Sequence, residues 1–236
     1  MTGRQAAGQP AGPGPLPAGI PLRTPRGAGV ADIIFSVLLI FMLVVLRTST
    51  PADPGAAGTW LADPGRRAIV AVALNLVPFA GIAFLWFIGV VRERIGRHED
   101  RFFATVFLGS GLLFIGMLLV AAAVGGGLIA AAALSAGLPG PSTLALGRDV
   151  TSALLNVYAM RMAAVFTLTT VTIARRTRFV SRWITRAGLA TAVVLLVGIG
   201  ISQWVELLFP AWVLALSIDI LVAGPRSAPH PITPGG

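Results

Sequence analysis

The chain has 236 residues, of which 56% are hydrophobic and only 11% charged, with a formal net charge of +9 and a mean hydropathy of +0.85. Soluble domains carry roughly 25% charged residues, so this composition excludes an ordinary water-soluble globule. All 18 basic residues are Arg and there is no Lys; they fall between apolar runs, where they set topology and meet anionic lipid rather than nucleic acid.

Residues 1–27 are rich in Gly, Pro and Ala and show no apolar periodicity, which predicts a disordered tail. The run Ala28 to Leu46 is long enough to span and lacks a clear cleavage site after it, so it reads as an uncleaved first span. A Pro-rich loop over 47–67 precedes a second span from Ala68 to Val91, in which Pro78 is a tolerable kink. RERIGRHEDR at 92–101 is the densest charge cluster and reads as a wet loop.

Phe102 to Val124 is the third predicted span. Gly125 to Gly127 and the apolar stretch to Gly137 either extend that helix with a kink or lie at the interface, being too short for a span of their own. After LPGPST at 138–143, a fourth span is expected from Thr151 to Ala174. The Arg-rich stretch 175–186 leads to a fifth from Ala187 to Leu208. Phe209 and Pro210 read as a tight hairpin into a short sixth segment, Ala211 to Ala223, either a tilted span or a re-entrant one. Residues 224–236 read as a flexible tail.

The expected fold is therefore all-α, a polytopic transmembrane bundle of about six spans occupying 28–223. Positive loops stay cytoplasmic. With both termini inside, the inner segments hold 13 Arg, the outer ones hold Arg47, Arg66, Arg67 and Arg148, and Arg161 lies within a span.

The stretches LNLVPFAGIAFLWFIGVVRERIGRHEDRFFATVFLGSGLLF at 74–114 and YAMRMAAVFTLTTVTIARRT at 158–177 resemble a family of small multi-span membrane proteins found mainly in actinobacteria. The resemblance covers residues 30–223. The family has no established activity; the resemblance implies helical spans and a multi-pass bacterial plasma membrane address.

Arg161 is the residue in most need of a partner, since an unpaired Arg at the centre of a span costs about 2.5 to 3.5 kcal/mol. At 1.5 Å per residue it lies about 15 Å deep and Asp219 about 13 Å, which makes Asp219 the first expected partner and Glu206 the second. Asn75, Asn156, Tyr158, Ser202 and Gln203 fall in the outer halves of their spans, so that these groups together form one candidate polar pocket. The alternative is a buried pair that fixes helix register, with the amides as interhelical glue. Ala159 and Ala163, and Gly198 with Ser202, have the four-residue spacing of close helix packing.

Other signals are weaker. GSG at 109–111 has no intramembrane His or Lys to activate its Ser, and reads as a packing notch. His98 beside Glu99 and Asp100 reads as a solvated cluster rather than a metal site. No cofactor motif is present, and the absence of Cys excludes thiolate ligands and disulfides. The tryptophans Trp60, Trp86, Trp183, Trp204 and Trp212 read mostly as interface anchors. Two functions compete: a small transporter-like or ligand-binding protein with Arg161 in its pocket, and a structural or accessory subunit that packs on a membrane partner or on further copies of itself. An intramembrane enzyme would need a nucleophile and base that the spans lack.

Overall fold

The computed structural model describes residues 25–49, 59–95, 101–134, 140–177, 180–198, 202 and 204–222. Among them the backbone is helical and no strand occurs, which makes the protein all-α. The elements are α1 (Pro25–Ser49), the single turn α2 (Thr59–Ala62), α3 (Pro64–Ile95), α4 (Arg101–Leu134), α5 (Pro141–Ser152), a π-helical stretch (Ala153–Ala159), α6 (Met160–Thr177), α7 (Arg182–Val197), a 3₁₀ turn (Val205–Leu207) and α8 (Leu208–Val222). Among the described residues five segments are long and apolar enough to cross a membrane: Val30–Ser49, Pro64–Gly89, Phe102–Leu134, Pro141–Arg176 and Val205–Val222.

Helix α7 is the expected span that falls short. Its 16 residues cover about 24 Å, less than a bilayer core of about 30 Å. It stops at Gly198, where a Cβ would stand 2.4 Å from the Val194 carbonyl. The chain nevertheless travels the length of α8. Ser181, just before α7, donates its backbone N–H to Asp219 in the last turn of α8, and the 3₁₀ turn from Val205 leads directly into the start of α8.

The expected hairpin at Phe209 and Pro210 does not form. Both are buried in the first turn of α8, where a proline costs no hydrogen bond. With the 3₁₀ turn before it, the last segment reaches 18 residues and is long and apolar enough to cross a membrane. Likewise α4 runs unbroken through Gly125–Gly127 to Leu134, and α5, the π stretch and α6 form one long segment that starts ten residues earlier than Thr151. The charged stretch after Val91 is helical to Ile95, and the chain is helical again from Arg101.

Local chemistry accounts for several ends. Asp63 caps α3: its Oδ1 accepts the N–H groups of Gly65 (2.8 Å) and Arg66 (3.3 Å), with Pro64 at the first helical position. Ser181 caps α7, its hydroxyl accepting from the Ile184 N–H.

The helices close into a ring, α1 on α3, α3 on α4, α4 on α6, α6 on α7, α7 on α8 and α8 back on α1. Seven phenylalanines fill its centre: Phe35, Phe84, Phe87, Phe107, Phe114, Phe166 and Phe209, all nearly or wholly buried. Their rings meet at 4.4 Å (Phe35 with Phe84), 4.7 Å (Phe107 with Phe166) and 4.9 Å (Phe114 with Phe209), distances typical of aromatic pairs. Lipid tails are as apolar as a Phe core, so this packing stabilises through van der Waals contact and close approach. Gly111 supplies that approach, since a Cβ there would stand 2.7 Å from Ile88 and 3.3 Å from the Phe166 ring. The GSG segment thus packs helices, and the Ser110 hydroxyl donates to the Val106 carbonyl (2.7 Å).

Trp86, Trp183 and Trp204 are exposed, as anchors are, but Trp60 and Trp212 are buried. Trp212 donates its indole N–H to the Ile184 carbonyl (3.1 Å), which fastens α8 to α7.

Candidate functional site

Helix α1 continues three residues beyond Leu46, and this extension creates the site. It carries Arg47 into the bundle rather than into a loop, and there its guanidinium finds two acceptors: the Glu206 carboxylate on the 3₁₀ turn and the Asn156 amide oxygen in the π-helical stretch.

 Arg47 is thus held inside the bundle by these two contacts, with part of its side chain left open to a cavity. Glu206 is almost wholly buried, and its second carboxylate oxygen has no hydrogen-bond partner among the described residues.

The cavity beside this pair measures about 340 Å³. Its walls are apolar, from Leu43, Trp60, Leu74, Leu128 and Leu155 among others, and its polar groups are few. Arg47, Asn156 and Glu206 stand on one side, and Arg148 and Asp149 of α5, themselves ion-paired at 3.1 Å, on another. Such a combination of apolar walls with a few convergent polar groups is what small-molecule sites share. Two cations and two carboxylates face the same space, each cation already beside a carboxylate. The site therefore suits a ligand of balanced charge better than a bare anion.

Asn156 is positioned by the π-helical stretch, an irregularity often found at functional sites. Its amide donates to the Ser152 hydroxyl (2.9 Å), which turns the oxygen toward Arg47. Gly147 lets α5 approach α4, for a Cβ there would stand 2.8 Å from Leu128.

The pairing expected for Arg161 is not formed. Arg161 is exposed, and no described residue bonds or pairs with it. Glu206 is taken by Arg47, and Asp219 accepts from the Ser181 backbone (3.0 Å). Asp219 does not lie at the expected depth, because α8 begins before Pro210, which puts Asp219 in its last turn, at the opposite end from Glu206. Burial on α6 follows Ala159, Met160, Ala163, Ala164 and Thr167, and Arg161 falls outside that stripe. Tyr158 is exposed as well. Asn75 is exposed and donates to the Ala71 carbonyl (2.8 Å), away from the cavity lining. Ser202 is exposed and accepts from the Trp204 N–H; it is not in a helix, so Gly198 and Ser202 are no helix-packing pair, whereas Ala159 and Ala163 are fully buried. Gln203, His98, Glu99, Asp100 and His230 lie outside the described residues, as do the tails 1–24 and 223–236. Among the described residues no cluster of His, Cys, Asp or Glu has the makings of a metal site.

Of the expected site residues that are described, Glu206 and Asn156 come together, both on Arg47. Arg47, Arg148 and Asp149 were missed, the first because it looked like a loop residue. Asp32 was missed too. It is buried on α1 in phase with Phe35, Leu39 and Met42, and the signal for it was an acidic residue inside an apolar run.

No family model, no curated protein and no solved structure matches the chain.

Proposed function

We propose that this multi-span helical protein binds a small zwitterion with an apolar body, of the kind of an aliphatic or aromatic amino acid, and carries it across a bacterial plasma membrane. The observation that supports this reading is the buried Arg47–Glu206 pair facing a cavity of about 340 Å³ with apolar walls. A ligand carboxylate would bind the Arg47 and Arg148 side, its ammonium the carboxylates of Glu206 and Asp149, and its apolar body the leucines. With the Arg-rich segments in the cytoplasm, the cavity opens outward. The membership in an actinobacterial family suggested by residues 74–114 and 158–177 belongs to the same proposal.

The test is a thermal-shift series on the purified protein in detergent, with leucine, phenylalanine, octanoate and choline as probes. Stabilisation by the zwitterions and not by the two singly charged probes is expected, with loss of the effect in Glu206→Gln. No shift with either amino acid would refute the reading.

A second reading, an accessory subunit of a membrane complex, is favoured by one observation. Arg161 is exposed on α6 with no partner among the described residues, on the same outward side as Tyr158 and Leu168. A neighbouring subunit with an acidic group would relieve its cost.

A further inference from the structure

A second polar site lies away from the cavity. Asp32 is seven residues into α1 and 15 residues before Arg47, about 22 Å along the helix axis. The phenylalanine core lies between them, with Phe35 adjoining Asp32 on the same face. Asp32 is 1% exposed, and one of its carboxylate oxygens has no hydrogen-bond partner. Ser36, one turn along, is fully buried and its hydroxyl is equally unpartnered. Ser217 of α8, also fully buried, adjoins Asp32 and completes the group.

The hydrogen-bond inventory of this cluster is short of positive charge. The Ser217 hydroxyl has one proton, and it lies 2.8 Å from the Val213 carbonyl, which accepts it. Ser217 then faces Asp32 with lone pairs. Ser36 brings one hydroxyl proton but no positive charge, so the carboxylate, closed off from water, needs a cation among these oxygens, because an uncompensated buried carboxylate is costly. No ion pair to Asp32 is formed among the described residues. On the elements packed against α1, α3 has no charged residue between Arg67 and Arg92. The single charged group of α8, Asp219, is held by Ser181, and Glu206 of the 3₁₀ turn is held by Arg47.

We propose that Asp32, Ser36 and Ser217 form a buried site for one monovalent cation, a proton or a sodium ion, set between α1 and α8 at the end of the bundle opposite the Arg47 cavity. All its donors are oxygens, as a hard cation requires, and a single carboxylate matches a single charge. Uptake of the ion alters the charge between α1 and α8, which pack on each other. Intramembrane carboxylates of this kind mark ion and proton pathways. The site does not depend on what the cavity binds.

A hydrophobic carbodiimide tests it, since this reagent attaches to a carboxyl group in its protonated form. The purified full-length protein in detergent is labelled and the adduct located by peptide mass spectrometry. One adduct at Asp32 is expected, absent in Asp32→Asn. Labelling that slows on adding sodium chloride at constant pH, but not choline chloride, identifies sodium as the ion. Labelling indifferent to sodium that slows as pH rises identifies the proton. Ser217→Ala, which removes a bond made within α8 alone, is expected to melt close to the parent and to weaken the sodium protection or move the pH at which labelling slows. Absence of an adduct at Asp32, or labelling that responds to neither sodium nor pH, overturns the proposal.

Discussion

Arg47 and Glu206 are 159 positions apart in sequence, yet the guanidinium of the first meets the carboxylate of the second at the end of the bundle where α1 stops and α8 is about to begin. One contact thereby joins the first span to the last, and Asn156 adds the fourth to the same junction. Breaking a buried pair by removing one partner leaves a charge without compensation, which costs about 3 to 5 kcal/mol. Arg47→Ala is therefore expected to lower the melting temperature in detergent strongly. Arg47→Ala with Glu206→Ala is expected to recover part of that loss, because no lone charge remains. Equal melting temperatures for Arg47→Ala and the parent protein would show that the pair holds nothing together.

Asn156 makes a smaller contribution to the same junction. Asn156→Ala removes one hydrogen bond to a charged group, worth about 1.5 to 3 kcal/mol, and leaves the ion pair in place. The variant should melt between the parent and Arg47→Ala. A loss as large as that of Arg47→Ala would mean that the π-helical stretch itself, rather than one hydrogen bond, depends on this side chain.

Glycines offer a matched comparison. At Gly188 of α7 a Cβ would stand 2.6 Å from both Trp212 Nε1 and Val171, so Gly188→Ala presses on the indole that bonds the Ile184 carbonyl. Overpacking of this kind costs about 1 to 3 kcal/mol. At Gly116 of α4 nothing stands within 4 Å, and Gly116→Ala should leave the melting temperature unchanged or raise it slightly. Paired melting curves of the two variants check the contrast, and equal effects would contradict the close approach of α7 to α8.

Much of the bundle was legible because the runs of apolar residues are long and the stops between them are chemically plain. Asp63 followed by Pro64 is a helix start that needs no tertiary context. What could not be read was set by helix ends. Arg47 looked like a loop residue because hydropathy falls at that position, but a helix continues past the last apolar residue when a partner awaits its charge. Phe209 and Pro210 looked like a turn, since a proline inside an apolar run is ambiguous between a turn and the first turn of a helix. That one misplacement shifted Asp219 along its helix by about 8 Å and favoured the wrong partner for Arg161. Asp32 was legible in principle, as an acid on the same face as Phe35 and Leu39, but its orphaned oxygen depends on α8, which no local pattern reveals.

Arg161 provides the sharpest test of what replaced the expected pocket. If it paired with Asp219 inside the bundle, Arg161→Leu would strand a carboxylate and lower stability as Arg47→Ala does. In the structure it is exposed on α6, and Asp219 is satisfied by the Ser181 N–H without it. Removing a charge from a lipid-facing position relieves an insertion cost of about 2.5 to 3.5 kcal/mol, less whatever snorkelling already recovers. Arg161→Leu is therefore expected to reach the membrane at least as well as the parent and to melt at the same temperature or higher. The accessory-subunit reading adds a second outcome. If a neighbouring subunit supplies the missing acid, the same variant should lose its larger species on native gels while the single chain remains stable. A drop in melting temperature of the isolated chain comparable to that of Arg47→Ala would return Arg161 to the interior and remove the outward face on which that reading rests.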